Sequence, residues 1–187
     1  AADDIDESVE FMRLLYAGFV DRYGERLSES ARELGDRLMP SLGGWYRSLP
    51  DPVTVTHGDF RLDNMLFGSG LDRPLVVVDW QTPGHGHGAT DVAYFLGAGL
   101  LPEDRRAAEQ SLVEGYHREL VSYAGAGDVS FDEIWTGYRS YTFSGFLMAV
   151  AASMIVGRTE RGDDMFMAMA NRHADQAWDL DSMDLVG

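Results

Sequence analysis

Runs of β-forming residues are few and short in this chain, and they are confined to one stretch near its middle. They cover residues 53–57, 64–67 and 75–79, and a glycine-rich turn at 68–74 separates the last two. Three strands of this length cannot form an extensive sheet, so helices must bury most of the core. The sequence therefore predicts a mainly helical α+β fold in which the last two strands form a small β-hairpin.

Helical patterns flank this stretch on both sides. Apolar residues recur at helical spacing over 5–23, and Ser30 with Glu33 forms a capping-box pattern that starts a second helix. We expect that helix to end at Met39, because Pro40 cannot continue the hydrogen-bonding ladder. A glycine-rich loop at 82–89 and four more helices follow the strands. These helices are predicted at 90–98, 102–124, 130–156 and 163–180, with a second capping box formed by Ser130 and Glu133.

The composition excludes several classes of protein. The 187 residues are 45% hydrophobic, which is enough for a globular core, and the net charge of −16 should repel nucleic acid and anionic membranes. The longest apolar stretch, 143–156, is too short to span a bilayer. The chain has no cysteine, and it shows no signal peptide at its start. We expect a cytoplasmic protein with no nucleic-acid or membrane partner.

The polar residues that can carry chemistry are concentrated around the short strands. Asp59 follows the first strand, in a loop where its carboxylate can reach a ligand. Asn64 begins the second strand and Asp79 ends the third, so a hairpin can bring these two side chains to one end. Carboxylate and amide oxygens suit Mg2+, and Asp59 is then free to accept the proton of an attacking hydroxyl or to orient it. Phosphoryl transfer requires these parts.

Two motifs in this stretch resemble those of a known family. The run His57-Gly-Asp-Phe-Arg-Leu-Asp-Asn64 and the later pair Asp79-Trp80 resemble motifs of the aminoglycoside phosphotransferases and choline kinases, distant relatives of the protein kinases. The segment 88–96 is most similar to the ecdysteroid-kinase-like branch of that superfamily. The resemblance covers residues 57–96, and it implies the C-terminal lobe of a protein-kinase-like fold.

The resemblance implies a role for each residue that matches the motifs. Asp59 would be the catalytic base, and Asn64 and Asp79 would be the ligands of Mg2+. Arg61 lies where protein kinases have a lysine that contacts phosphate, which makes it a candidate catalytic residue.

Two more residues would support the catalytic loop rather than react. The resemblance implies that His57 is a structural residue of the loop. It also implies that Asp91 anchors the loop from the start of a helix, although an acid in the first turn can equally serve the helix dipole alone.

The resemblance further implies a kinase that transfers the γ-phosphate of ATP to a hydroxyl group of a small molecule. Enzymes of this kind clamp ATP with an N-terminal lobe that carries a glycine-rich loop and a lysine. No such lobe precedes residue 50, and the chain contains no lysine. We therefore expect residues 1–187 to be a single domain, the C-terminal lobe alone, with little activity and few ATP contacts. The face left uncovered would favour a homodimer.

Three other interpretations remain open at this point. A lobe without the lysine could be a pseudokinase-like binding module with no catalytic activity. His85 and His87 could join His57, Asp59 and Asp79 around a metal, as in a metal-dependent hydrolase. The run 84–89 also matches a dinucleotide-binding pattern, but it does not follow a strand directly, as that motif requires.

Overall fold

In the part of the chain that the structure describes, the protein is built from seven α-helices, with four short strands inserted after the second helix. The computed structural model describes residues 2–49, 54–70, 74–123 and 129–186. The helices are α1 (Ala2–Tyr23), α2 (Glu29–Ser48), α3 (Ala89–Gly99), α4 (Pro102–Ser122), α5 (Phe131–Ser140), α6 (Thr142–Ile155) and α7 (Glu160–Asp179). The strands are β1 (Thr54–Thr56), β2 (Met65–Phe67), β3 (Leu75–Val77) and β4 (Gly84–Gly86). The predicted mainly helical α+β architecture is confirmed.

Two groups of buried side chains form the core. The larger one lies between α1, α2, α6 and α7, and it includes the fully buried Phe19, Leu38 and Phe143. The smaller one joins α3, α4 and α5, with Val113 near its centre. Helix α3 contributes to both groups, since its Tyr94 packs in the larger one. None of the helices in the described ranges is long and apolar enough to cross a membrane.

Helix α2 continues past the residue that was predicted to end it. Pro40 lies inside the helix, so the predicted end at Met39 was wrong. The residues that follow are needed in the core: Leu42 and Trp45 are buried, and the indole N–H of Trp45 donates to the carbonyl of Ser140 at 2.9 Å. Tertiary packing thus outweighs the loss of one backbone hydrogen bond at the proline.

One of the two predicted capping boxes is confirmed. Ser130 and Glu133 cap α5 reciprocally, each accepting a hydrogen bond from the backbone N–H of the other. At the start of α2, however, the cap is Ser28, whose hydroxyl accepts from the N–H of Ala31 at 3.1 Å. Ser30 lies inside the helix instead and donates to a carboxylate oxygen of α7.

A single helix was predicted over 130–156, but the structure contains two, which are separated at Tyr141. The carbonyl of Arg139 accepts from the hydroxyl of Thr142 at 2.9 Å, and the carbonyl of Ser140 accepts from the indole of Trp45. Because side chains satisfy these carbonyls, the backbone can turn there without leaving them unpaired.

The strands form two antiparallel pairs rather than one sheet. The predicted hairpin is confirmed: β2 pairs with β3, with Leu66 opposite Val76, although residues 71–73 of its turn lie outside the described residues. The predicted loop at 82–89 contains a strand, β4, which pairs with β1. This pairing gives the backbone of β1 partners, and glycine at 86 leaves room for Thr56, since a Cβ there would come within 3.1 Å of its methyl group. Val53 and Ala124, predicted element ends, also lie outside the described residues.

Candidate active site

The segment 57–64, which we name the catalytic loop, connects β1 to β2 and holds Asp59 in several hydrogen bonds. The carboxylate oxygen Oδ2 of Asp59 accepts from the side-chain amide of Asn64 at 3.0 Å and from Nε of Arg61 at 3.2 Å. The other oxygen, Oδ1, accepts from the hydroxyl of Tyr94 at 3.1 Å. The Asp59 side chain remains 31% exposed. It is therefore fixed in orientation and still open to a ligand.

Helix α3 holds the start of the catalytic loop through Asp91. One carboxylate oxygen of Asp91 accepts from the backbone N–H of His57 at 2.6 Å, and the other accepts from that of Gly58 at 3.1 Å. This bidentate contact fixes the loop to the first turn of α3, where the helix dipole also favours a negative charge.

His57 connects the catalytic loop to the strand that precedes Asp79. The buried ring lies with Nε2 3.0 Å from the carbonyl of Val78, and Nδ1 accepts from the N–H of Asp59 at 3.3 Å. These two contacts are satisfied together when the proton is on Nε2. Trp80 packs against the ring, with centroids 4.6 Å apart. Both ring nitrogens of His57 therefore form hydrogen bonds within the protein.

Gly58 allows the catalytic loop to approach the segment after β3 closely. Its φ of +82° is in the left-handed region that favours glycine. A Cβ at this position would lie 2.5 Å from the carbonyl oxygen of Thr82. The hydroxyl of Thr82 in turn donates to the carbonyl of His57 at 3.4 Å.

The β2–β3 hairpin brings Asn64 and Asp79 to the same end. The N–H of Val78 donates to the carbonyl of Asn64 at 2.9 Å, which places Asp79 one residue beyond this pairing. Asp79 has a φ of +65°, a conformation that aspartate tolerates better than most residues. Asn64 is buried, and its two hydrogen bonds to Asp59 both use the amide N–H2 group. Its amide oxygen remains for another partner.

A pocket of about 520 Å3 opens beside Asp59 and Asp79. One wall is polar and comes from the catalytic loop and the segment after β3. The opposite wall is apolar and comes from α6 and α7, with Met148, Met165 and Met169 among its residues. Arg61 spans the two walls, because its guanidinium contacts Asp59 and also lies 3.0 Å from the sulfur of Met165.

The histidines of the predicted hydrolase do not form a metal cluster. His85 is exposed on β4 opposite Val55, and His87 stacks on Tyr141 with its Nδ1 accepting from the N–H of Ala89. Burial lowers the pKa of His87. Across the described ranges, no group of three histidine, cysteine, aspartate or glutamate side chains could hold a metal.

The dinucleotide-binding pattern at 84–89 also lacks the structure it requires. Gly84–Gly86 is an extended strand paired with β1. It is not a tight turn that leads from a strand into a helix, so the run cannot wrap a pyrophosphate in the expected way.

Sequence reasoning did not assign several residues that line the pocket. Tyr94 was part of the family-like segment but carried no role, and no role was predicted for the pocket methionines Met148, Met165 and Met169. The spacing of Asp91 and Tyr94, three residues apart on α3, was the one available signal, because it places them on neighbouring positions of a helix.

Comparisons with known proteins agree with the motifs. A sequence model of the phosphotransferase enzyme family, APH, matches residues 8–129. The chain is 35% identical over 68 residues to acyl-CoA dehydrogenase family member 11 of Gallus gallus, which covers 36% of this chain and 8% of that protein. It is 28% identical over 143 residues to acyl-CoA dehydrogenase family member 10 of Mus musculus, covering 68% and 13%. An uncharacterized kinase-like protein of Caenorhabditis elegans is 24% identical over 90 residues, covering 48% and 24%.

The chain thus spans only a small part of the length of these relatives. No solved structure was found to match it. The family match covers most of the chain, includes the whole catalytic loop and agrees with the kinase-like resemblance of its motifs. This chain belongs to the phosphotransferase enzyme family, APH.

Proposed function

We propose that this chain is the catalytic lobe of a kinase that transfers the γ-phosphate of ATP to a hydroxyl group of a small molecule. Family membership indicates kinase-like phosphotransfer in general. The observation that carries the finer proposal is the carboxylate of Asp59, which is held by Asn64, Arg61 and Tyr94 at the edge of a pocket large enough for a small molecule.

The residues present fit a Mg2+ ion. The amide oxygen of Asn64 has no role in the hydrogen bonds of that side chain to Asp59, and Asp79 lines the pocket. Two protein oxygens suffice, since Mg2+ usually keeps waters and phosphate oxygens as its other ligands. When bound, the ion would neutralise charge on the phosphates. We therefore propose Asn64 and Asp79 as its ligands.

In this proposal Asp59 orients the acceptor hydroxyl and takes its proton. The acceptor oxygen forms a bond to the γ-phosphorus as the bond from that phosphorus to the bridging oxygen of ADP breaks. The proton of the hydroxyl passes to Asp59, and the position of Asp59 at the pocket wall supports this role. Arg61 is the cationic group of the described site, and we propose that it steadies the negative charge of the transferred phosphoryl group.

The pocket also constrains the acceptor. Its apolar wall consists of methionine, alanine, valine and phenylalanine side chains from α6, α7 and the residue that follows α6. Methionine side chains adapt to irregular apolar shapes. The wall therefore favours an acceptor whose hydroxyl is attached to an apolar body over one that carries several charges.

We assign most of the ATP contacts to a segment outside residues 1–187. The chain contains no lysine that could pair with ATP phosphates. The same observation favours the second candidate function, a binding module without catalysis. The two candidate functions are distinguished by testing phosphate transfer with the protein that includes this segment, called the intact protein below.

The test uses the intact protein with Mg2+, ATP and a panel of hydroxyl compounds, and it measures ADP release. Asp59→Asn should lower kcat about 10³-fold, in the range that loss of a general base produces. The matched control is Asp63→Asn on the same loop, an exposed aspartate 3.4 Å from Arg61, which should change kcat less than about threefold. If Asp59→Asn is as active as the parent, the assignment is wrong; if the parent itself transfers no phosphate, the binding module is favoured.

A further inference from the structure

Tyr94 makes a contact that the motifs do not assign, and we infer that it is a positioning residue for the carboxylate of Asp59. The inference rests on the proposed function, because it concerns how the catalytic carboxylate is held. Tyr94 is on the second turn of α3, three residues after Asp91, so one helix contacts the catalytic loop at two points.

The hydroxyl of Tyr94 completes the set of donors around Asp59. Oδ2 accepts from Asn64 and Arg61, whereas Oδ1 accepts from Tyr94 at 3.1 Å. Donors on both oxygens oppose rotation of the carboxylate about its Cβ–Cγ bond. Without the hydroxyl, only Oδ2 would be held, and Oδ1 could turn away from the acceptor.

The ring of Tyr94 is itself rigidly held. It is 5% exposed and stacks on the ring of His173 from α7, with centroids 5.8 Å apart and planes inclined by 24°. His173 is fully buried, and a Cβ at either Gly97 or Gly145 would overlap its ring. The two glycines thus create the space for the histidine that supports Tyr94.

His173 is fixed in turn by Gln176. Nδ1 of His173 lies 3.1 Å from Oε1 of Gln176, and the amide nitrogen of Gln176 donates to the carbonyl of Ala93 at 3.3 Å and to the hydroxyl of Tyr138 at 2.8 Å. Since Gln176 donates through its nitrogen, its oxygen must accept the proton of Nδ1. The support of Tyr94 therefore extends through α7 to the backbone of α3.

The environment also keeps Tyr94 a donor. Burial, followed by the neighbouring negative charge of Asp59, raises the pKa of the Tyr94 hydroxyl. The hydroxyl therefore stays protonated around neutral pH and can donate to the carboxylate.

The test compares Tyr94→Phe with Tyr16→Phe in the intact protein. Both changes keep a buried ring and remove one hydroxyl that donates to an aspartate, since Tyr16 donates to Asp36 at 3.0 Å and neither residue lines the pocket. Both should lower Tm by a similar few degrees. Only Tyr94→Phe should lower kcat for phosphate transfer to the acceptor, measured as ADP release, by about tenfold, with KM for ATP within about twofold.

A double variant adds a readout that a merely structural role would not change. In the Asp59→Asn background, Tyr94→Phe should cause no further loss of kcat, because the hydroxyl acts only through the carboxylate. A kcat equal to that of Tyr16→Phe would overturn the inference while leaving the proposed function intact. A rise in the KM for the acceptor with unchanged kcat would also overturn it, since Tyr94 would then contact substrate. A parent without any phosphate transfer would remove the proposed function and this inference with it.

Discussion

The helical body and the β cluster, the segment 54–88 that contains the four strands, are built in opposite ways. The body consists of helices α1 to α7, and their buried apolar side chains pack against each other in two groups. In the β cluster most of the large apolar side chains are exposed, including Val55, Leu66, Phe67 and Trp80. Strands of three residues each cannot stabilise such a segment by themselves.

The contrast separates the residues that stabilise the fold from those that are proposed to carry the chemistry. The catalytic loop belongs to the weakly packed β cluster, yet its position is set from the body by Asp91 and Tyr94 of α3. The site is therefore held by a few directed hydrogen bonds together with the burial of His57 and Asn64. Apart from the α3 residues that contact the loop, changes in the body should mainly alter stability, whereas the proposed function predicts that changes in the catalytic loop mainly alter catalysis.

The largest effect on stability is expected from the core of the body. Phe143 is fully buried and packs edge-on against Trp45, with centroids 5.9 Å apart. Phe143→Ala should lower the free energy of unfolding by about 4 kcal/mol in a urea titration. Phe11→Ala, which removes a ring that is 54% exposed on α1, should cost less than about 0.5 kcal/mol. Similar losses for both variants would mean that the stability of the body does not depend on its buried core.

A second effect concerns pH, and it comes from His173. Burial lowers the pKa of His173 from 6.5 to about 4, so the folded protein favours the neutral ring. Its contribution is complete above pH 6.5 and is lost as pH falls from 6.5 towards 4. One pKa unit corresponds to about 1.4 kcal/mol, so the loss approaches about 3 kcal/mol.

The measurement is the free energy of unfolding of the parent and of His173→Gln between pH 4 and pH 7.5. The variant should be less stable at neutral pH, but its stability should fall less steeply below pH 6.5. Identical slopes for the two proteins would show that the buried histidine does not contribute to the pH dependence.

The smallest effect is expected on the exposed face of the β cluster. Phe67 is 71% exposed, so Phe67→Ser in the 187-residue chain should change the free energy of unfolding by less than about 0.5 kcal/mol. A loss above about 1.5 kcal/mol would mean that this face is covered in solution. The homodimer expected from the sequence stays a prediction, and light scattering on the parent and on Phe67→Ser checks it.

Local patterns were sufficient for the class of fold and for the grouping of the motif residues. The hairpin follows from two β-forming runs around a glycine-rich turn, and its register brings Asn64 and Asp79 to one end. Helical periodicity located α1, and Pro102, which suits the first turn of a helix, located the start of α4.

The errors occurred where distant residues decide the local structure. Pro40 remains inside a helix because Leu42 and Trp45 are needed in the core. The break at Tyr141 depends in part on the indole of Trp45, far away in the sequence. Strand β4 forms because β1 offers it a partner. The spacing of Asp91 and Tyr94 makes them neighbours on α3, but it does not give the folded position of Asp59, on which the role of Tyr94 depends.

The close approach of Gly58 to Thr82 has a consequence for how such a scaffold can diversify. The two segments that hold Asp59 and Asp79 touch backbone to backbone, so neither can be remodelled without displacing the other. The methionines of α6 and α7 face the same pocket from elements that carry none of the motif residues. If the proposed function holds, a different acceptor is therefore most readily accommodated by exchanging those side chains, while Asp59 and Asp79 keep their mutual placement.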